Sequence, residues 1–246
     1  MQIIRSALFE NIPNIIFGMS TKIGLNREAP FYFNMSMSVG DNEKTVTENR
    51  KAFFSKLGLN LGSVVLQKQI HSDIVTLVHD AGKQFESDAL ITDKPDLGLA
   101  ISTADCVPVF LYDKSKNVIG AVHSGWRGTA KNITSKTLQL MQKKFGTVPN
   151  DLFAFIGPSI AAKNYEVSKE VAQKFDDKYL SKKNNGKYLL DLKMANYDML
   201  INFGIPANQI EVSGLCSFEE KKLLHSYRRD GKKSGRALGI IAMRNL

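Results

Sequence analysis

The chain has 246 residues, 43% of them apolar, which fits one large domain or two small ones and supplies a substantial core. Its formal charge of +9 favours anionic partners, but the lysines are scattered and no DNA- or RNA-binding signature is present, so a small anionic substrate is expected and not nucleic acid. Two cysteines exclude a disulfide framework, the N-terminus reads as lacking a signal peptide and no apolar run is long enough to span a bilayer, so a cytoplasmic setting without membrane partners is the expectation.

In chain order, residues 41–57 have apolar positions at helical spacing and Gly58 can close that helix. Val64–Leu66 and Ile74–Val78 read as short strands around a corner at His71. Strands over Ala89–Thr92 and Leu99–Ser102 flank the turn residues 93–96, and Val107–Tyr112 with Val118–Val122 reads as a hairpin. An amphipathic helix is predicted over Ala130–Phe145, then a strand over Leu152–Ile156. Helices are predicted over Glu166–Phe175 and Asp191–Phe203, with 181–187 as a projecting loop between them. Ile210–Val212 and Ala237–Met243 read as late strands. This alternation lacks the strict βαβ repeat of a doubly wound sheet, so the expected class is α/β: layered mixed β-sheets flanked by helices. No repeat, low-complexity tract or linker divides it, and residues 1–246 are expected to form a single domain.

Three residues at the ends of apolar runs carry the first chemical signal: His71, Cys106 and His123. Two imidazoles and a thiolate suit zinc, and three protein ligands leave the open position of a catalytic site. On residue type alone Cys106 is equally a small buried hydrophobe, and a single histidine is more often structural than a ligand. The wide spacing of the three is unlike that of structural zinc modules.

Neighbouring segments add weight. In His123-Ser-Gly-Trp-Arg-Gly-Thr129 a strand meets a new helix across two glycines, a place where exposed N–H groups favour an anion and Arg127 can add a bidentate contact. Asp105 precedes Cys106 and reads as a helix cap or a support behind the ligands. Asp73 and Asp88 are candidates to orient the histidines or to act as general bases. Of the pair Arg228 and Arg229, followed later by Arg236, one is expected to turn inward and one outward.

The segments His71-Ser-Asp73, Ser87–Thr92, Thr103-Ala-Asp-Cys-Val-Pro-Val109, His123–Thr129, Ile156-Gly-Pro158, Cys216-Ser217 and Ser226-Tyr-Arg-Arg-Asp-Gly231 together resemble the laccase-domain, or peptidoglycan-editing-factor, family described as multicopper polyphenol oxidases. Gly18–Lys22, Asn34–Ser36, Val39–Asp41 and Glu48–Arg50 extend the resemblance over nearly the whole chain. It implies a fold like that of cytotoxic-necrotizing-factor-type cysteine hydrolases and a zinc site of His71, Cys106 and His123. It further implies an enzyme that phosphorolyses adenosine, inosine and methylthioadenosine and deaminates adenosine. Cys106, His123 and Asp88 would then be catalytic, and Asn34, Arg127 and Arg228 would hold purine nucleoside and phosphate. Two departures stand out: His225 occupies a position expected to be aromatic, and 159–164 lacks the cysteines some members carry.

Three alternatives follow from the same residues. A copper polyphenol oxidase would need many histidines, and the chain has four, so a trinuclear cluster is not expected while one copper at the His₂Cys set stays open. A Cys106–His123 hydrolase or amidase editing peptidoglycan precursors would use the thiolate as nucleophile. A non-catalytic editing factor rests on the family link alone. Oligomeric state is not legible.

Overall fold

The longest apolar runs are buried along their whole length, which two-layer burial explains. The computed structural model describes residues 1–81 and 85–245. Along these residues run β1 (Ile3–Ile4), α1 (Ala7–Glu10), β2 (Ile15–Ser20), α2 (Glu43–Lys56), β3 (Val64–Leu66), β4 (Val75–Leu77), β5 (Ala89–Thr92), β6 (Gly98–Thr103), β7 (Val107–Asp113) and β8 (Val118–Ser124). Then follow α3 (Trp126–Ala130), α4 (Ile133–Phe145), β9 (Leu152–Ile156), β10 (Glu166–Val167), α5 (Lys169–Ala172), β11 (Leu180–Lys182), β12 (Tyr188–Leu190), α6 (Leu192–Phe203), β13 (Ile210–Val212), α7 (Tyr227–Asp230) and β14 (Ala237–Met243).

Two mixed sheets stack between helices, as expected. One has five strands in the order β1-β2-β14-β6-β3, the other six in the order β13-β9-β7-β8-β5-β4. Successive side chains on a strand point to opposite faces, so a strand inside the stack must be apolar on both. In β14, Leu238, Ile240 and Ala242 pack with Phe53, Phe54 and Leu57 of the α2 region, while Ile241 and Met243 face the other sheet. In β7, Phe110 and Tyr112 face the five-stranded sheet, and Val107, Val109 and Leu111 join Leu138, Met141 and Leu200 under α4 and α6. The order of layers is therefore helix, five-stranded sheet, six-stranded sheet, helices. Between the sheets, Phe17 meets Phe110 and Phe155 edge-on at 4.9 and 5.1 Å.

Several expectations need correction. The helix predicted over Ala130–Phe145 is found as α4 but starts three residues late, after the short α3, because the chain turns at Asn132, whose φ of 60° is a left-handed conformation that asparagine tolerates. The helix predicted over Glu166–Phe175 survives only as α5, because Glu166 and Val167 pair with Leu189 and Tyr188 of β12. Glu166 is held there by Lys183 at 2.6 Å and Lys187 at 2.8 Å. Those lysines belong to the presumed loop 181–187, which is the turn of a β11–β12 hairpin. The helices α2 and α6 agree with expectation and are capped by the side chains of Asn42 and Asp191.

Candidate metal and anion site

The three candidate ligands come from different connections and meet at one end of the sheet stack. His71 lies between β3 and β4, Cys106 follows the crossover from β6 in one sheet to β7 in the other, and His123 is in β8. Their ligating atoms all lie within 4.8 Å of one another. The His71 and His123 rings stand edge to face, 4.9 Å between centroids. His71 is exposed, Cys106 half-buried and His123 buried, so the cluster opens outward on the His71 side.

Unusual backbone brings them there. His71 has φ 56° and Asp105, beside Cys106, has φ 96°, both in the left-handed region that side chains other than glycine seldom occupy. Asp88 holds the His71 turn: its carboxylate accepts from the backbone N–H groups of Ile70 and His71 at 3.3 and 3.0 Å and from the Ser72 hydroxyl at 2.7 Å. The same carboxylate accepts from His123 Nδ1 at 2.8 Å, and the Asp88 carbonyl accepts from the His123 N–H at 2.7 Å. Burial pushes the Asp88 carboxyl up, but its bonds to His123 and Ser72 prevail and keep it below the ordinary value. An ionised Asp88 makes Nδ1 the protonated nitrogen of the neutral ring, so Nε2 is the nitrogen whose lone pair a metal would take.

The Asp105 turn is anchored in the same way. Asp105 accepts from the Ser217 hydroxyl and from the Arg228 N–H, both at 2.6 Å, and its carbonyl accepts from Ile160 N–H at 3.0 Å. It thus caps α7 beside Ser226, whose hydroxyl accepts from Arg229 N–H at 3.2 Å. Gly125 closes the cluster from above: a Cβ there would lie 3.0 Å from Cys106 Sγ and 3.2 Å from His71 Cδ2. That space is what a metal among three ligands, or a substrate atom, needs.

Electrostatics favour charge at this spot. Burial pushes the Cys106 thiol up, but the His123 and His71 imidazoles outweigh it and bring the thiol down to about 6. Burial pulls His123 down, and the Cys106 thiolate with Asp88 lifts it to about 9. Both shifts act toward a thiolate beside an imidazolium when no metal is bound. Two imidazole nitrogens and a thiolate in one small space fit a borderline-soft ion such as zinc, and equally a copper ion.

The remaining candidates fall in different places. Arg127 is exposed and stacks on Trp126 at 4.2 Å; Arg228 is exposed, stacks on Tyr165 at 5.0 Å and donates to the Glu166 carbonyl at 2.8 Å. Asn34 is buried and its amide is saturated: Oδ1 accepts from Ser36 and Arg236 N–H, and Nδ2 donates to the Ser36 carbonyl and to Asp41. It presents no free group to a substrate. Asp73 is paired with Lys131 and Lys136 and orients neither histidine. Arg229 is the inward member of its pair, latching the carbonyls of Ser217, Phe218 and Leu224. His225 is buried away from the three ligands, and His79 is exposed. Sequence reasoning missed Tyr165, whose phenol is held neutral by burial and by the Cys106 charge. Its only signal was its place shortly after Gly157-Pro158.

Comparison with known proteins places this arrangement. The family described as "Multi-copper polyphenol oxidoreductase laccase" matches residues 16–244. The purine nucleoside phosphorylase YlmD of Bacillus subtilis is 34% identical over 96% of this chain and 91% of its own length. A purine nucleoside phosphorylase of Bacteroides thetaiotaomicron is 37% identical over 85% of this chain and 84% of its own. The crystal structure of YlmD from Geobacillus stearothermophilus superposes with a TM-score of 0.93 at 31% identity, covering 100% of this chain and 97% of that one. Sequence and fold agree, and the chain belongs to the multi-copper polyphenol oxidoreductase laccase family.

Proposed function

We propose that this protein is a metal-dependent purine nucleoside phosphorylase, with zinc held by His71, Cys106 and His123. It would split adenosine, inosine or methylthioadenosine with phosphate into free base and the sugar 1-phosphate, and also deaminate adenosine in the cytoplasm, as one domain spanning 1–246. The observation that carries the reading is the His₂Cys cluster with an open space under Gly125. The names of the relatives support the substrate class.

A metal bound there supplies an electrophilic centre for the bond being broken. The protein's own residues do the rest. Asp88 keeps His71 and His123 aimed inward and fixes the protonated nitrogen of His123. Arg127 and Arg228 would bring positive charge to the phosphate from the exposed side. Tyr165, neutral and half-buried beside Cys106, is placed to contact the nucleoside.

A second reading has one observation in its favour. The thiolate–imidazolium character of Cys106 and His123 is that of a cysteine hydrolase, the chemistry that a cytotoxic-necrotizing-factor-type fold would carry and that a peptidoglycan-precursor amidase would use. Polyphenol oxidation at a copper cluster finds less support, since among the described residues a single group of potential ligands is present. One experiment separates these: phosphate-dependent release of adenine from adenosine by wild type and Cys106→Ala, with metal content measured on the same samples. The phosphorylase reading expects one metal per chain and product only with phosphate, both lost in Cys106→Ala. Equal activity in the two proteins would exclude the site. Hydrolysis of amide substrates by metal-free protein would favour the hydrolase.

A further inference from the structure

The group left unexplained beside the site is Arg236. It directly precedes β14, whose Ala237 pairs with Thr103, so it flanks the turn that carries Asp105 and Cys106. Its backbone is held on both sides: its N–H donates to Asn34 Oδ1 at 2.9 Å, and its carbonyl accepts from Met35 N–H at 3.0 Å. Gly235 before it has no room for change, since a Cβ there would lie 2.5 Å from the Phe31 carbonyl oxygen and 2.6 Å from His225 Cε1.

The side chain is half-buried and equally fixed. Nη1 donates to the carbonyls of Ser234 at 2.8 Å and Gly235 at 3.0 Å, and the guanidinium lies over the Tyr227 ring at 5.3 Å. Among the described residues Nε and Nη2 meet no acceptor, and no carboxylate pairs with the group. The acidic groups that act on it most are Cys106 and Asp105. Asp105 does not pair with it among the described residues; its two oxygens accept from the Ser217 hydroxyl and the Arg228 N–H. A guanidinium stays charged at any ordinary pH, and a partly desolvated charge without a partner costs free energy. Such a cost is recovered when an anion binds.

We propose that Arg236 is the inner anion-binding residue of the site, taking two oxygens of inorganic phosphate through Nε and Nη2. The fork geometry of arginine matches phosphate, and a pre-fixed guanidinium loses little freedom on binding. Arg127 and Arg228, both exposed, close on the same anion from outside. Asn34 acts through Arg236 as a positioning residue. The proposal rests on the phosphorylase reading for the identity of the anion, but not for its existence.

The test compares zinc-loaded wild type with Arg236→Gln and Arg236→Lys. Titration with inorganic phosphate by calorimetry is run beside steady-state kinetics with varied phosphate and varied nucleoside. The expected result is a rise in the phosphate Kd and KM of about 10- to 100-fold for Arg236→Gln and less for Arg236→Lys, the loss of one charge-assisted contact. Nucleoside KM, zinc content and melting temperature should stay unchanged, which a merely structural role would not predict. Phosphate Kd and KM equal to wild type in Arg236→Gln, or no phosphate binding by wild type, would overturn the proposal. If wild type binds phosphate but does not phosphorolyse, the functional reading falls, and the calorimetric difference alone decides on Arg236. Should Arg236→Gln fail to fold, the same comparison is made with Arg236→Lys.

Discussion

Asp88 shows how much a single buried carboxylate can organise. It takes no exposed position, yet it shapes the turn that presents His71 and fixes the ring of His123. Removing the charge while keeping the shape, as in Asp88→Asn, should weaken metal binding about 10- to 100-fold, the usual effect of losing a partner behind a metal ligand. Competition with a chelator measures it, and an unchanged affinity would deny Asp88 this role. Gly125 is the other sensitive point. Its missing Cβ leaves the space between Cys106 and His71, so Gly125→Ala should cut turnover by more than it lowers melting temperature. The three candidate ligands were legible only through the motifs around them, since on residue type alone histidines and a cysteine at strand ends are more often structural. Arg236 was not: a lone arginine near a strand looks solvated until its unpaired, half-buried state is seen.

Elements with a period of their own were legible, and those defined by pairing were not. The apolar spacing of α2 and the full burial of β7 and β8 follow from residues within the segment. The strand β10 exists because residues more than twenty positions away offer it a partner, information absent from Glu166 and Val167 alone. The same holds for β2, which has Gly18 in its middle and was not expected as a strand at all. Its neighbour β14 depends on a second glycine. A Cβ on Gly239 would lie 2.4 Å from Phe110 Cζ, across the gap between the sheets, and 2.9 Å from Cγ of Met19, its partner on β2. Gly239→Ala should therefore destabilise the fold by about 1–3 kcal/mol through overpacking. Adding Phe110→Leu should return part of that loss, an interaction that urea denaturation of the single and double variants resolves.

At the scale of the whole molecule, stability is coupled to pH through His225. Burial lowers its pKa, Lys22 and Arg236 lower it further against the Phe33 carbonyl, and it reaches about 3. The unfolded chain takes up this proton near pH 6.5, well before the folded one, so the contribution is complete above about pH 6.5 and lost as pH falls toward 3. Between pH 6.5 and 5 the loss should be about 2 kcal/mol, at about 1.4 kcal/mol per unit. His225→Gln should flatten that part of the profile in urea denaturation, and an identical slope would deny the assignment. The position of β14 carries one more consequence. It lies between β2 and β6, so a strand near the beginning of the chain and the one near its end are neighbours inside one sheet. The three metal-binding candidates are all synthesised by residue 123, but the anion-binding arm reaches its place only when the last strand slides between two already made. The turn beside Cys106 also waits for late residues, since Asp105 accepts from Ser217 and Arg228. On the proposed reading, neither the metal cluster nor the grip on phosphate is fully held in a growing chain until the residues from Ser217 onward are in place.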